Sequence, residues 1–197
     1  MSPPESGLTE IQPNVLMVDD EKEVADAYAL RLEGVTDVSV AYGGTEALET
    51  LKQHAPPDVV LLDRHMPGTS GDTVLETIRE RDLRTRVIMI TAVDPGLDIV
   101  DLPFDDYLCK PVERSDLRAA IDQQCQILAY ELLGEYFEIA SKRAVIAAEV
   151  PASERDNDAE FTALGEHATR LRSRLERVLP DAEETLDAFA SIDRRRY

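Results

Sequence analysis

Four short apolar runs in the first 110 residues each end on a polar residue, and this repetition restricts the fold more than any other feature. The runs and the residues that follow them are Val15–Val18 with Asp19 and Asp20, Val59–Leu62 with Asp63, Val87–Ile90 with Thr91, and Tyr107–Cys109 with Lys110. Because the runs are continuously apolar, they predict strands covered on both faces, in a parallel sheet flanked by helices. Since parallel strands end at one edge, these polar side chains should converge there.

Helical patterns separate the runs, as expected for an alternating α/β domain. The predicted helices cover residues 22–33, a stretch from a Thr45 cap to about His54, residues 71–81, and a stretch that follows a Ser115 cap. Residues 38–41 add a fifth strand. The segment 92–105 is short and carries Pro95 and Pro103, which predicts a stunted or irregular fourth helix.

The predicted cluster of polar residues indicates a chemistry. Three carboxylates at one edge repel each other and need a cation, and an all-oxygen ligand set favours Mg²⁺. A metal-bound carboxylate beside a lysine can receive a phosphoryl group, with Asp63 as the nucleophile, Lys110 as the neutralising cation and Thr91 as a hydrogen-bond donor. The chain has no GxxxxGK phosphate loop, which argues against a nucleotide hydrolase.

After about residue 128 the apolar residues take a spacing of three and four. The two stripes are Tyr130, Leu133, Phe137, Ala140, Ala144 and Ala147, and then Phe161, Leu164, Ala168, Leu171, Leu175 and Val178. Two such helices joined by a short loop predict an antiparallel hairpin, followed by a short helix between Asp181 and Ile192. A hairpin this thin buries little by itself, so it should pack on the first domain or on a second copy.

Four motifs, in this order and spacing, resemble the receiver domain of two-component response regulators. They are DD at 19–20, LLDRHMPG at 61–68, ITA at 90–92 and YLCKP at 107–111. The resemblance implies a flavodoxin-like, doubly wound five-stranded parallel sheet of order 2-1-3-4-5, an order that is general for this class of fold. It also implies a histidine kinase as the partner that supplies phosphate.

The resemblance also assigns roles to residues. It implies Asp63 as the phosphoacceptor, and Asp19, Asp20 and Asp63 with the backbone carbonyl of His65 as the Mg²⁺ ligands. Thr91 and Tyr107 would form the switch pair, Lys110 would contact the phosphate, and the Lys110–Pro111 bond would be cis. Phe104 stands where a small residue is common, which predicts crowding of Tyr107.

The C-terminal part resembles HalX, a helical domain found after receivers in salt-loving archaea. The likeness rests on YELLGEYFEIASKRAVIAAEV at 130–150 and FTALGEHATRLRSRLERV at 161–178. The predicted organisation is therefore a polar N-terminal tail at 1–13, a receiver at 14–128 and a helical output module at 129–197. We expect a response regulator that accepts and loses phosphate by itself but is not otherwise an enzyme; the alternatives are a protein-interaction adaptor without DNA binding and a metal-dependent phosphatase.

Charge bears on the partners. The chain has a net charge of −19, and its only lysines are Lys22, Lys52, Lys110 and Lys142. Such a surface repels nucleic acid and anionic membranes in dilute salt, and it suits a cell with high internal salt. No export signal or apolar segment long enough to span a bilayer is visible, so a cytoplasmic location is expected.

The helical module contains one basic patch in this otherwise acidic chain. Arg170, Arg174 and Arg177 share a helix face and could contact DNA phosphates. Alternatively, they form a solvated face paired with neighbours such as Glu166 and Glu176. Residues 112–197 carry 18 acidic and 12 basic side chains, which favours the second interpretation. DNA binding therefore stays open, as does a homodimer.

Overall fold

The protein is described by a computed structural model in which residues 11–92 and 96–190 are placed. Within these residues the chain divides into two compact units: one is 12–128, and the other joins Ile11 to 129–190. The division falls inside one long helix, and each unit is described below by itself. No helix in the described residues combines the length and the apolar character that crossing a membrane requires.

The first unit is built on a five-stranded sheet in which all neighbours are parallel. The strands are β1 (Asn14–Val18), β2 (Asp37–Ala41), β3 (Val59–Leu62), β4 (Arg86–Thr91) and β5 (Asp106–Cys109). Their order across the sheet is β2-β1-β3-β4-β5. The three central strands are fully buried over most of their length, as their continuous apolar runs require. The predicted doubly wound fold is confirmed.

Helices cover the sheet. They are α1 (Lys22–Leu32), α2 (Gly44–Gln53), α3 (Gly71–Glu80) and the first part of α4 (Arg114–Glu149). Each buries an apolar face toward the strands, for example Ala25 and Leu32 of α1 and Val74 and Ile78 of α3. The sheet and these faces form the core of the unit.

Two predicted helix caps are wrong. Helix α2 begins at Gly44 and is preceded by Gly43, so Thr45 lies inside the helix rather than before it. Helix α4 begins at Arg114, which places Ser115 inside the first turn. In both cases the predicted cap is one or two residues too late. The reason is that we chose a hydroxyl side chain as the cap, and these helices begin without a hydroxyl cap.

The segment after β4 is short of helix, as predicted. Within its described residues, 92 and 96–105, the helical structure is a single 3₁₀ turn at Leu97–Ile99. Leu97 and Val100 stay 92% and 72% exposed, so this turn contributes little to the core. The start of β5 is fixed instead by Asp105, whose carboxylate accepts from the backbone NH of Val87 at 2.6 Å and pairs with Arg79 at 2.7 Å.

The second unit is helical. It contains the later part of α4, the short α5 (Ala152–Arg155), then α6 (Ala159–Val178) and α7 (Ala182–Ala190). Glu135 of α4 pairs with His167 of α6, and the Arg143 guanidinium lies 4.9 Å from the centre of the Phe161 ring. Contacts that advance along α4 while they go backward along α6 show that the two helices are antiparallel. The predicted hairpin is confirmed.

The stripe predicted for α6 is the packed one, since Leu171, Leu175 and Val178 are buried. For α4 the prediction is wrong. Tyr130 is 65% exposed and Ala144 and Ala147 are exposed, whereas Leu132 and Ile139, which lie outside the predicted stripe, are buried. The buried residues lie about a third of a turn around the helix from the predicted stripe, whose middle members Leu133, Phe137 and Ala140 are half-buried, and the spacing alone does not distinguish the face that packs most deeply.

Candidate functional site

The acidic residues lie at the carboxyl edge of the sheet because of the pairing of β1. This strand pairs with β2 on one side and β3 on the other. Immediately beyond the strand, the backbone NH of Asp19 donates to the carbonyl of Ala41 at 3.2 Å. Likewise the NH of Asp63 donates to the carbonyl of Val18 at 2.9 Å, so both carboxylates start from fixed backbone.

Asp19, Asp20 and Asp63 come together as predicted. One carboxylate oxygen of each lies within 4.8 Å of those of the other two. Asp19 is fully buried and Asp63 is 6% exposed, while Asp20 is the most exposed of the three. The backbone NH of Glu21 donates to Asp19 at 2.9 Å, which turns that carboxylate toward the others. The result is a concentrated negative charge at a partly desolvated edge.

Lys110 supplies the nearest cation. Its Nζ lies 2.7 Å from Oδ2 of Asp19 and 3.0 Å from Oδ2 of Asp63, so it bridges the two buried carboxylates. Burial by itself would lower the pKa of the Lys110 ammonium, but the hydrogen bonds to Asp19 and Asp63, with their negative charges, raise it overall. The preceding strand holds its backbone, since the NH of Lys110 donates to the carbonyl of Thr91 at 2.8 Å. The Lys110–Pro111 bond is cis, as expected.

Thr91 closes the site on the side of β4. It is 1% exposed, and its Oγ1 lies 3.4 Å from Nδ1 of His65, at the length limit of a hydrogen bond. The backbone NH of His65 donates to Oδ1 of Asp63 at 3.3 Å. His65 therefore contacts both the carboxylate and the hydroxyl, a side-chain contact that the sequence did not predict.

Tyr107 lies beside Phe104. Their ring centroids are 5.6 Å apart and the rings are tilted by 53°. Both side chains are half-buried and pack against the core. The crowding expected from Phe104 is thus a ring-to-ring contact that limits the space into which Tyr107 can turn.

The loop after Asp63 contains a residue whose role was not predicted. A Cβ on Gly71, the first residue of α3, would lie 2.2 Å from the Asp63 carbonyl oxygen and 2.8 Å from Cα of Arg64. Only glycine allows α3 to approach the strand end this closely. Ser70 caps the same helix by accepting from the NH of Thr73 at 3.2 Å, and Arg64 pairs with Asp72 at 3.1 Å. In the sequence, the Ser-Gly pair at 70–71, shortly after Met-Pro-Gly at 66–68, was the signal that could have indicated this close approach.

The donor set fits Mg²⁺. The three carboxylates offer oxygen ligands within 4.8 Å of one another, and oxygen ligands are those that this ion prefers. Lys110 alone supplies one positive charge against three negative ones, so a divalent cation would bring the cluster to neutrality.

The C-terminal arginines are not gathered into one free strip. Arg170 is exposed and its Nη1 lies 3.9 Å from Glu166, while Nη1 of Arg177 donates to the carbonyl of Ser173 at 3.2 Å. Arg174 lies half-buried on the same helix. Some of this charge is thus directed to neighbours within α6, as the second interpretation of the sequence expected.

Comparisons with known proteins agree with this geometry. The sequence profile of the response regulator receiver domain matches residues 15–122, and that of the HalX domain matches residues 126–192. A protein of Haloferax volcanii named "Putative transcriptional regulator" is 42% identical over 183 residues. That match covers 91% of this chain but only 30% of the relative, so the chain spans less than a third of that protein's length.

Solved receiver domains share the fold. The receiver domain of the Francisella response regulator 1452 is 30% identical with a TM-score of 0.53, covering 57% of this chain and 96% of that one. A CheY-like receiver domain protein of Methanospirillum hungatei is 25% identical with a TM-score of 0.56, covering 61% of this chain and 98% of that one. The chain belongs to the response regulator receiver family, with a HalX domain after the receiver.

Proposed function

We propose that residues 14–128 form a receiver that accepts a phosphoryl group on Asp63 from a histidine kinase, in the presence of Mg²⁺, and that residues 129–197 form its output module. The observation that carries the proposal is the Lys110 ammonium bridging Asp19 and Asp63 beside Asp20, at the carboxyl edge of the sheet. Mg²⁺, held by the three carboxylates and the His65 carbonyl, would neutralise charge on the incoming group.

The residues of the chain account for the transfer step. An Oδ atom of Asp63 forms the new bond to phosphorus, the bond from phosphorus to the donor's nitrogen or oxygen breaks, and the leaving group takes up a proton from solvent. Lys110 is placed to shift its hydrogen bond from Asp63 to a phosphoryl oxygen. Buried Asp19 keeps the ammonium at the site through its own 2.7 Å contact.

The switch is proposed to start at Thr91. Its hydroxyl would leave His65 and donate to a phosphoryl oxygen, and the space vacated would let Tyr107 turn inward. Small shifts of this kind are amplified when packing has two alternative arrangements. Thr91→Ala should accept phosphate normally yet fail to change its association state; an unchanged response would show that the signal leaves by another route.

The output we propose is helix-to-helix association, with DNA contact secondary. Counterion release, the main source of affinity for DNA, is largely lost in molar salt, and the acidic surface is unfavourable in dilute salt. The name of the Haloferax volcanii relative favours DNA binding as the alternative output. Replacing Arg170, Arg174 and Arg177 together by Gln separates them: lost DNA affinity with association retained would favour the transcriptional output.

The central experiment is phosphorylation by a small donor such as acetyl phosphate, followed by intact mass. The wild type should gain one phosphate with Mg²⁺ and none in EDTA, and Asp63→Asn should gain none in either. Asp37→Asn is a matched control, since Asp37 is an exposed acid at the opposite edge of the sheet. A phosphate gained by Asp63→Asn, or full phosphorylation in EDTA, would contradict the proposal.

A further inference from the structure

Asp105, the residue before β5, lies at the centre of a polar cluster at the amino end of the sheet. Its carboxylate accepts from the backbone NH of Val87 at 2.6 Å and pairs with Arg79 of α3 at 2.7 Å and with Arg86 at 3.0 Å. Nε of Arg86 also donates to Oε1 of Gln124 on α4 at 3.0 Å, and Nε2 of Gln124 donates to the Asp105 carbonyl at 3.4 Å. We call the side chains of Arg79, Arg86, Asp105 and Gln124 the Asp105 cluster.

The Asp105 cluster holds the start of β5, where apolar packing is weak. Among the described residues between β4 and β5 there is a single 3₁₀ turn, and its Leu97 and the following Val100 are exposed. β5 itself is at most half-buried, whereas β4 is buried over all but its first residue. Arg79 also holds the approach to β5, since its Nε donates to the carbonyl of Pro103 at 2.9 Å. The position of β5 therefore depends on hydrogen bonds, which are directional.

Gln124 is the member of the cluster that belongs to α4. It is 2% exposed, and the residues one turn before and after it, Ile121 and Leu128, are buried apolar side chains. A buried amide is costly unless its oxygen and its nitrogen are hydrogen-bonded. Here the oxygen accepts from Arg86 and the nitrogen donates to the Asp105 carbonyl. Both bonds persist only while α4 and the start of β5 keep their present distance.

We infer that Gln124 is the positioning residue that couples β5 to α4, so that a movement of Tyr107 on β5 reaches the helix that continues into the output module. Tyr107 lies two residues after Asp105, and α4 runs from Arg114 to Glu149, beyond the end of the receiver. Hydrogen-bond networks carry coupling between sites when they join elements that have two arrangements. The inference rests on the proposed phosphorylation of Asp63 and identifies the contact through which that switch acts on the output.

The test is backbone hydrogen exchange of the full-length protein in molar KCl, before and after treatment with acetyl phosphate and Mg²⁺. In the wild type, phosphorylation should change the exchange rates of α4 amides at residues 121–128 by about fivefold, the size expected when one hydrogen bond is made or lost. Gln124→Leu removes both hydrogen bonds but fills the space with an apolar side chain. It should gain phosphate like the wild type, by intact mass, and lose the exchange response. Gln123→Leu, at the exposed neighbouring position, is the matched control and should keep the response.

Gln124→Glu separates coupling from packing. Its carboxylate keeps an acceptor for Arg86, so this variant should keep the exchange response. A response that persists in Gln124→Leu, or that is lost equally in Gln124→Leu and Gln124→Glu at equal helix content, would overturn the inference. A wild type that gains phosphate without any change in α4 exchange would overturn it as well. A wild type that gains no phosphate would contradict the proposed function itself, and the inference with it.

Discussion

The receiver unit and the helical module differ in how their sequences select one arrangement. In the receiver, polar residues at the ends of buried strands lie at one edge because parallel pairing leaves no other place for them. In the module, apolar residues of α4 lie both on the packed face and beside it, so their spacing does not select one face. A polar residue at the end of a strand therefore specifies a location, whereas an apolar stripe specifies only that something must cover it.

The largest expected effect comes from removing the positive charge of Lys110 from the receiver site. Lys110→Met leaves Asp19 and Asp63 buried without their cation, so stability should fall by about 3–5 kcal/mol in the absence of divalent ions. Added Mg²⁺ should restore part of the loss if the three acids bind it. The measurement is urea unfolding with and without Mg²⁺. A loss that Mg²⁺ leaves unchanged would contradict the proposed metal site.

The matched control is the lysine of the module. Lys142 pairs with Glu138 one turn earlier on the surface of α4, and both side chains are more than half exposed. Its hydrogen bond lowers the pKa of the Glu138 carboxyl, yet water screens the pair, so Lys142→Met should leave stability unchanged.

The raised pKa of Lys110 means that the contribution of Lys110 to stability is complete below its ordinary value of 10.5 and is lost as the pH rises through the raised value.

The second prediction compares glycines. In Gly71→Ala the new methyl group meets the backbone of Asp63 and Arg64, so α3 or the strand end must shift. Overpacking of this kind costs about 1–3 kcal/mol. Because the shift moves the Asp63 backbone, the rate of phosphorylation by acetyl phosphate should fall as well. Normal stability and rate in this variant would show that the site tolerates movement of its own scaffold.

The glycine of the module should respond in the opposite direction. Gly134 lies inside α4, and an added Cβ would meet nothing within 4 Å. Alanine is the better helix former by about 1 kcal/mol, so Gly134→Ala should raise the melting temperature. A destabilised variant would indicate that this position is already covered in solution, as helix-to-helix association of the module could bring about.

The two units also differ in how far the sequence predicts them. Strand ends and the convergence of Asp19, Asp63 and Lys110 follow from apolar runs and from the rule for parallel sheets, whereas the sheet order came from the resemblance to receiver domains. The two predicted helix caps are wrong because we took a hydroxyl side chain as the cap, whereas α2 and α4 begin before that residue. The contact of His65 with Thr91 and the close approach of Gly71 depend on where a loop returns to the sheet, and no local pattern encodes that distance.

The third prediction tests whether capping counts equally in the two units. Ser70 accepts from the NH of Thr73 at the start of α3, and Asp158 accepts from the NH of Phe161 at 2.8 Å at the start of α6. Ser70→Ala and Asp158→Ala should each cost about 1 kcal/mol. The measurement is the unfolding free energy of both variants. A much larger cost at Ser70 would show that this residue also supports the Asp63 loop.

The smallest effect is a loss of stability in mild alkali that originates in the receiver. Burial raises the pKa of the Cys125 thiol to about 12, from 9.0 in the unfolded chain, and the negative charges of Asp58 and Asp122 add to the rise. Because the folded-state pKa is raised, the thiol does not affect stability well below pH 9, where it is protonated in both states, and stability falls as the pH approaches 9 and the unfolded chain ionises first. The loss should be about 0.4 kcal/mol at pH 9 and should keep growing toward pH 12.

Cys125→Ala, compared with the wild type by urea unfolding across this pH range, should flatten the slope of the unfolding free energy against pH. The exposed Cys109 is the control, and its replacement by Ser should leave the slope unchanged. If Cys109→Ser flattened the slope and Cys125→Ala did not, the alkaline loss would originate at the surface near the phosphoacceptor rather than in the buried part of α4.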